Sequence, residues 1–225
     1  MEAKSIALDG PSGAGKSTLA KVVAEHFGLI YVDTGALYRC IGLYVLRNEV
    51  SSTDEKKVSA LLPNIKLQMK YDAQGSQRVI LNGEDVTDYI RSPEASKYAS
   101  DVSAMPAVRA FLLDMQREMA VTYDTIMDGR DIGTVVLPNA GLKIFITATP
   151  ERRAYRRYLE LLDKDPDTKL SDVQDAMNQR DKNDSERAQA PLKAADDATL
   201  LDTTDLNFEE SFQAICKLVS ERFGL

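Results

Sequence analysis

The sequence predicts an α/β domain with a parallel sheet, because short apolar runs alternate with helical patterns along the chain. A glycine-rich turn between the first apolar run and the first helical pattern is typical of the same class. The apolar runs span residues 6–8, 29–32, 125–127, 143–146 and 199–201. We therefore expect the runs to be strands of one sheet that is flanked by helices.

The composition is that of an ordinary folded protein, with 225 residues, 44% hydrophobic and 28% charged. Its formal net charge of −7 would repel a long polyanion, so we expect no nucleic-acid partner. No apolar stretch approaches the ~20 residues that cross a bilayer, and no secretory pattern opens the chain. Two cysteines and one histidine exclude a disulfide framework and a zinc site. We expect a cytoplasmic protein without a membrane partner.

The helices are predicted from apolar side chains at helical spacing. The first helix ends at Gly28, directly before the second apolar run. Its apolar residues are Leu19, Val22, Val23 and Phe27. A later helix carries Val108, Phe111, Leu112, Met115 and Met119, and the last one carries Phe208, Phe212, Ile215, Cys216 and Val219.

Residues 63–92 break this alternation. Apolar and polar residues alternate strictly from Ile65 to Tyr71, which is a strand pattern, and Gly75-Ser76 and Asn82-Gly83 are turn signals. Further strand formers are Val79, Leu81 and Val86. We predict a small antiparallel β insertion. Its pattern does not determine its purpose, for which a brace for neighbouring helices is our hypothesis.

Residues 10–17 fit the phosphate-binding loop pattern G-x-x-x-x-G-K-[ST] at every fixed position, after a strand and before a helix. Glycines let successive backbone N–H groups face inward, where they and the helix N-terminus bind anions. The predicted ATP-binding residues are Gly10, Pro11, Ser12, Gly13, Ala14, Gly15, Lys16, Ser17 and Thr18. A chance match in a glycine-rich turn is the alternative, and the context of the motif disfavours it.

Within this loop we expect Lys16 to reach the β- and γ-phosphates of ATP and Ser17 to ligate Mg²⁺. Asp128 ends another apolar run and could hold the same ion through water; orientation of the loop backbone is the alternative role for its carboxylate. The loop does not determine whether the γ-phosphate goes to water or to an acceptor.

Four further segments are polar where a plain scaffold would be apolar, and two of them follow predicted strands, where ligands of open α/β sheets bind. With the phosphate loop, the motifs in chain order are GPSGAGKST, DTGALYR, S-D-V-S-A-x-P-x-V-R, DGRDIGTVV and RDKNDSER-x-x-APL. Each motif alone is moderately specific, whereas the ordered set is highly specific. Over nearly the whole chain, this set resembles the cytidylate kinases of the bacterial type.

The resemblance implies transfer of the ATP γ-phosphoryl group to CMP or dCMP, which gives the diphosphate and ADP. It implies a five-stranded parallel sheet, an acceptor-binding part and a closing lid. On this basis we expect one kinase domain over residues 1–225, an acceptor-binding part at 34–108 that includes the insertion, and a helical lid at 152–187. By analogy with the family we also expect a monomer.

The resemblance also assigns an acceptor site. The implied residues are Thr34, Tyr38, Arg39, Ser100, Arg109, Arg130, Asp131, Arg180, Asp184 and Arg187. The implied partners are the cytosine for Ser100, Arg109 and Asp131, the sugar for Arg180 and Asp184, and the phosphate for Arg39, Arg130 and Arg187. Thr34 stands where the family often has serine, and the hydroxyl is kept.

The chemistry of the bases agrees with this assignment. A carboxylate such as Asp131 can accept a hydrogen bond from the cytosine amino group but would repel the uracil oxygen at that position. Arg109 supplies donors for the acceptor edge of the base. The sequence therefore predicts that CMP and dCMP are preferred over UMP.

Clustered arginines are expected to neutralise the repulsion between ATP and CMP. The segment from Arg152 to Arg157 carries four of them, and we expect the catalytic residues to be Lys16, Arg130, Arg153 and Arg157. Arg153 and Arg157 lie four residues apart on one helix face. An ordinary solvated helix face is the alternative for these side chains.

Two other functions remain open at this point. One is a related kinase for another small acceptor, such as UMP, AMP or shikimate. The other is a nucleotide-dependent switch or binding module, in which the arginine-bearing segments would have no obvious purpose.

Overall fold

A computed structural model describes residues 3–73, 75, 77–163 and 165–225. The strands are β1 (Ser5–Asp9), β2 (Ile30–Asp33), β3 (Leu67–Tyr71), β4 (Gln77–Leu81), β5 (Glu84–Asp85), β6 (Thr125–Gly129), β7 (Leu142–Thr147) and β8 (Thr199–Asp202). The helices are α1 (Lys16–Phe27), α2 (Thr34–Arg47), α3 (Glu55–Leu61), α4 (Pro93–Val102), α5 (Pro106–Thr122), α6 (Pro150–Leu162), α7 (Leu170–Glu186) and α8 (Phe208–Phe223). Short 3₁₀ turns span Leu62–Asn64 and Tyr89–Arg91, and one π-helical turn spans Ile132–Val136.

Five strands form one sheet in the order β2-β6-β1-β7-β8. Strand β1 pairs in parallel with β6 and with β7, and β7 pairs in parallel with β8. Helices cover such sheets on both faces, so their strands read as continuous apolar runs, and Ile6 to Leu8 are completely buried. The predicted α/β fold with a five-stranded parallel sheet is confirmed.

The register brings the carboxyl ends of three strands to one edge of this sheet. Asp9 at the end of β1 lies opposite Gly129 of β6 and Phe145 of β7. The phosphate loop and the turn that begins at Arg130 therefore start side by side, as the rule for open α/β sheets requires of a binding edge.

The predicted insertion is an antiparallel sheet in the order β3-β4-β5. Asn82 and Gly83 have φ angles of +50° and +91° and form the two-residue hairpin between β4 and β5, as their sequence predicts. Of the other predicted turn, Gly75 has a φ of +75°, and Ser76 lies outside the described residues.

The chain divides into two compact units, which are residues 1–31 with 119–225 and residues 32–118. The core of the first unit is formed by the sheet with α1 and α8, and the core of the second by α2 with α4, α5 and the insertion. The single kinase domain over 1–225 and the boundaries of its acceptor-binding part and lid stay predictions.

Within the second unit, α2 and α4 approach closely at Gly42. A Cβ at this position would lie 2.7 Å from the backbone nitrogen of Ala99, so only glycine fits the contact. The insertion packs on the same core through Val79 and Leu81, which are buried.

Within the first unit, α6 and α7 form a helical hairpin over most of the segment in which a helical lid was expected. A small cluster of apolar side chains joins the two helices: Ala154, Val173 and Met177, with Tyr158 and Leu161 beside them. In the described part of the chain, no helix combines the length and the apolar character that a membrane span needs.

Candidate functional site

The phosphate loop connects the end of β1 to the start of α1. Gly10 has a φ of +148°, and a Cβ there would overlap the carbonyl oxygen of Ile146. Gly13 has a φ of +71° and lies under the Met177 side chain and the Arg153 carbonyl. Both positions require glycine for backbone conformation and for space, so the loop can curl as an anion cradle does.

Lys16 is the cation of this cradle and is buried, with 5% of its surface exposed. Its Nζ donates a 2.7 Å hydrogen bond to the carbonyl oxygen of Pro11. Burial lowers the pKa of Lys16 well below its usual range, and the positive charges of Arg130 and Arg180 lower it further, against Asp128 and Asp9. A phosphate anion would relieve this unfavourable charge.

Ser17 and Asp128 are paired oxygen ligands beside the loop. The Ser17 hydroxyl donates a 2.7 Å hydrogen bond to Asp128 Oδ2, and the Tyr31 hydroxyl donates one of 2.9 Å to Oδ1. Among the described residues, no group of three or more His, Cys, Asp and Glu side chains could hold a metal ion. A hydroxyl and one carboxylate fit Mg²⁺, which uses few protein ligands and completes its shell with substrate phosphates and water.

Asp9 joins the phosphate loop to the turn after β6. Its two carboxylate oxygens accept hydrogen bonds from the backbone nitrogens of Ile132, at 2.8 Å, and Gly133, at 2.7 Å. Burial raises the pKa of Asp9 to about 6, although these two hydrogen bonds lower it in part. The carboxylate thereby fixes the start of the π-helical turn and, just before it, Arg130 and Asp131.

Arg130 and Asp131 each pair with a residue of opposite charge at the end of the α6–α7 hairpin. Arg130 Nε donates a 2.8 Å hydrogen bond to Asp184 Oδ2, and Arg187 Nη2 lies 3.3 Å from Asp131 Oδ1. The side chains of Asp131 and Arg187 are both 7% exposed. These two buried pairs bring four of the predicted acceptor-site residues together in the first unit.

The second unit holds another predicted group around the start of α2. Asp33 caps this helix, since its Oδ1 accepts a 2.8 Å hydrogen bond from the Ala36 nitrogen, and its Oδ2 accepts one of 2.8 Å from Arg39. Thr34, the first residue of α2, is 3% exposed. Tyr38, one turn later, packs against the core of this unit.

Ser100 and Arg109 belong to the same unit and are linked through Ser103. The Ser103 hydroxyl donates a 2.8 Å hydrogen bond to the Ser100 carbonyl, and Arg109 Nη1 donates one of 3.3 Å to the Ser103 carbonyl. The turn between α4 and α5 therefore brings together these two predicted cytosine-binding residues.

Comparisons with known proteins identify one family. The family model for cytidylate kinase matches residues 6–221. A curated relative, the cytidylate kinase of Caldicellulosiruptor bescii, is 51% identical over 97% of this chain and 96% of its own length. The cytidylate kinase of Lactiplantibacillus plantarum is 44% identical over 98% and 96%.

The chain belongs to the cytidylate kinase family.

A solved structure of an uncharacterized protein from Eubacterium ventriosum has a TM-score of 0.55 and 10% identity, covering 97% of this chain and 99% of that chain. At that identity the likeness shows the fold alone, which is the α/β fold described above.

In this cytidylate kinase family member, the two arginines of α6 that were predicted to be catalytic have different surroundings. Arg153 is buried, and it donates hydrogen bonds to the carbonyl oxygens of Ser12 and Ala148, both at 2.9 Å, and to Asp181. Arg157 forms an exposed ion pair with Glu160 at 2.8 Å. Arg153 thus braces the phosphate loop, whereas Arg157 faces solvent.

The sequence did not predict the contacts of three charged side chains. Asp33 belongs to a quoted motif but was given no role, and the signal that could have found it is an aspartate directly before a helical pattern. Lys143 was counted as part of an apolar strand, although a lysine in a buried run needs a partner. Asp181, the partner of Arg153, has no signal in the sequence because the contact joins two helices.

The raised pKa of Asp9 predicts how it contributes to stability as the pH changes. Because its folded pKa of about 6 exceeds the ordinary value of 3.8, its contribution is fully present below pH 3.8 and is lost as the pH rises through 6. As the pH rises from 5 to 8, the unfolding free energy of wild type should therefore fall by about 1–2 kcal/mol relative to that of Asp9→Asn. Urea denaturation at several pH values measures this difference.

The matched control is Asp54→Asn. Asp54 caps α3, and its hydrogen bond from the Lys57 nitrogen lowers its pKa, so its titration lies below the tested range. The control difference should be constant from pH 5 to pH 8, and a constant difference for Asp9→Asn as well would contradict the prediction.

Proposed function

We propose that this chain transfers the γ-phosphoryl group of ATP to CMP or dCMP, and that CDP or dCDP and ADP are the products. The observation that carries this proposal is the placement of Arg130 and Asp131. They follow the strand next to the phosphate loop, they pair with Asp184 and Arg187, and the charge of Arg130 reaches the buried Lys16. Membership of the cytidylate kinase family supports the same reaction.

ATP is the proposed donor, and its phosphates bind in the loop from Gly10 to Thr18. Backbone N–H groups and the N-terminus of α1 bind the phosphate oxygens, and Lys16 neutralises the charge that develops during transfer. The Lys16 ammonium donates a 2.7 Å hydrogen bond to the carbonyl oxygen of Pro11. On binding, it would exchange this carbonyl for a phosphate oxygen, which is the stronger acceptor because it is charged.

Mg²⁺ is the proposed cofactor. Ser17 would ligate the ion directly, and Asp128, whose Oδ2 is 2.7 Å from the Ser17 oxygen, would hold it through water. When bound, Mg²⁺ supplies charge neutralisation between the β- and γ-phosphates.

CMP or dCMP is the proposed acceptor, with Ser100, Arg109 and Asp131 at the cytosine. Asp131 accepts a hydrogen bond from the amino group of the base, and its pair with Arg187 holds the carboxylate in place. With uracil, two acceptor oxygens would face each other in a buried site, and such mismatches can discriminate by about 10⁴.

The acceptor phosphate and sugar are proposed to bind the remaining polar residues. Arg39, Arg130 and Arg187 bind the phosphate, with Thr34 and Tyr38 beside them, and Arg180 and Asp184 bind the sugar. The internal ion pairs of these arginines hold them in place before the substrate arrives, which lowers the entropy cost of binding.

No general base is required, because the attacking phosphate oxygen of CMP is already ionised. The work of the protein is to align two anions that repel each other and to exclude water from the transferring group. We propose that α6 and α7 close over the phosphates as a lid. Arg157 is the lid residue that best fits contact with the transferring group, since an exposed ion pair contributes only about 0–1 kcal/mol and is readily exchanged.

The monomeric state and the cytoplasmic location expected from the sequence belong to the same proposal. So does the absence of a nucleic-acid partner, for which the net charge of −7 gives the reason.

A panel of monophosphate acceptors tests the proposed reaction. With ATP and Mg²⁺, CMP and dCMP should be phosphorylated, whereas UMP and AMP should react at least about 10²-fold less efficiently in kcat/KM. Coupled detection of ADP measures every acceptor in one format, and a blank without acceptor measures hydrolysis. Preference for UMP or AMP would identify another kinase, and tight ATP binding without product from any acceptor would identify a switch.

The base preference should depend on Asp131. Asp131→Asn replaces one accepting oxygen by an amino group that suits uracil, so the CMP/UMP ratio of kcat/KM should fall about 10- to 100-fold. Asp184→Asn is the matched control, because Asp184 is also a buried, ion-paired carboxylate but is proposed to face the sugar. The control should lower both rates and keep their ratio; an unchanged ratio in Asp131→Asn would refute the assignment.

The two lid arginines should differ in their kinetic effects. Arg157→Ala should lower kcat by about 10³-fold with little change in the KM for ATP, as loss of an arginine at the transferring group does. Arg153→Ala should mainly raise the KM for ATP, because Arg153 holds the Ser12 carbonyl of the phosphate loop.

Arg78→Ala is the control for the loss of an exposed, ion-paired arginine, and it should have wild-type kinetics. Steady-state kinetics over ATP and CMP concentrations decide the case. Wild-type kcat in Arg157→Ala would show that this side chain belongs to a solvated helix face.

A further inference from the structure

Lys143 is a buried cation with no role in the proposed reaction. It occupies the second position of β7, and only 8% of its surface is exposed. A lysine is rarely buried unless its charge is paired, because removal of an ammonium group from water is costly. The contacts of Lys143 therefore indicate which part of the structure its burial stabilises.

The stem of Lys143 packs against the turn that carries Asp131. A Cβ built on Gly133 would lie 3.1 Å from Lys143 Cδ and 3.3 Å from Cγ, so the stem lies directly over the Gly133 backbone. The nitrogen of Gly133 also donates a 2.7 Å hydrogen bond to Asp9 Oδ2. The turn after Asp131 thus contacts both the Asp9 carboxylate and the Lys143 stem.

The head of Lys143 binds the segment that follows α7. Its Nζ donates hydrogen bonds of 2.8 Å to both carboxylate oxygens of Asp197. Asp197 is largely exposed at the edge of a cavity of about 460 Å³, and the hydrogen bond from Lys143 lowers the pKa of its carboxyl below the usual value. The pair ties an external loop to a strand of the sheet.

The other end of this loop carries Arg187. The Arg187 Nε donates to the Ala190 carbonyl, the Leu192 nitrogen donates a 2.8 Å hydrogen bond to the Asp184 carbonyl, and Arg187 Nη2 reaches Asp131. Residues 187–197 are therefore fastened at Arg187 to the acceptor turn and at Asp197 to Lys143. Lys143 therefore contacts Gly133 of the turn that carries Asp131, and Asp197 of the loop that begins at Arg187.

We infer that Lys143 is a positioning residue for the acceptor site, and that its ion pair with Asp197 sets the position of Arg187 relative to Asp131. The inference rests on the proposed function, in which Asp131 binds the cytosine and Arg187 the phosphate of CMP. Lys143 itself touches neither ATP nor CMP. Loss of its charge should affect the acceptor and leave the donor side, with the phosphate loop, unaltered.

Lys143→Met and Asp197→Asn test this inference from the two ends of the pair. Methionine keeps an apolar stem over Gly133 and removes only the charged head, whereas Asp197→Asn changes the exposed partner and leaves the buried lysine in place. Each variant should raise the KM for CMP about tenfold, with little change in the KM for ATP, which is the size expected for a weakened charge-assisted contact. The double variant should be no worse than Lys143→Met, because both changes break one interaction.

Lys193→Met is the matched control, since Lys193 is an exposed lysine that lines the same cavity. It should have wild-type KM values for both substrates. Amide hydrogen exchange of Leu192 gives a readout independent of turnover, and it should be faster in both test variants than in wild type and in the control.

Three results would overturn the inference: an unchanged KM for CMP in both variants, equal rises in the two KM values, or unchanged protection of the Leu192 amide. Failure of the proposed function is a separate result, because wild type would then produce no CDP from CMP. In that case the exchange of the Leu192 amide still decides whether Lys143 and Asp197 hold the loop.

Discussion

Much of the first unit depends on one buried carboxylate. Asp9 ends the central strand and accepts hydrogen bonds from two backbone nitrogens of the turn after β6, so the phosphate loop and that turn share one anchor. Two buried N–H groups would otherwise lack acceptors, and each would cost the desolvation of a polar group. Burial of this carboxylate has a cost, because it disfavours the charged form and raises the pKa of Asp9 to about 6.

The charge around the phosphate loop differs from that of the whole chain. The protein carries a formal net charge of −7, yet Lys16 is buried within reach of the charges of Arg130 and Arg180. Asp184 and Asp131 balance the arginines of the site by direct pairs. The negative charge of a bound nucleotide would neutralise part of the positive charge of the lysine and arginines. An acidic protein can therefore present a local site for anions.

The second unit solves a different problem, which is to fix the start of α2. The Asp33 side chain caps the helix and binds Arg39. Its backbone N–H donates a 2.9 Å hydrogen bond to Gln77 Oε1 of the β insertion. At the other end of α2, Arg47 binds Glu84 of the insertion with hydrogen bonds of 2.6 and 2.9 Å. The insertion thus contacts α2 at both ends, a role that its sequence pattern did not determine.

The sequence by itself determined the strands of the sheet, helices α1, α5 and α8, the phosphate loop, the hairpin at Asn82-Gly83 and the family, because these depend on local periodicity, on turn chemistry and on an ordered set of motifs. It also supplied the polar residues of the candidate site. Only the tertiary structure decided which charges meet: Arg153 turns to the phosphate loop while Arg157 stays exposed, and Lys143 in an apolar strand reaches Asp197, 54 positions later in the chain. The physical reason is that an ion pair depends on distance in space, whereas the spacing of residues along the chain fixes only which face of an element a side chain occupies.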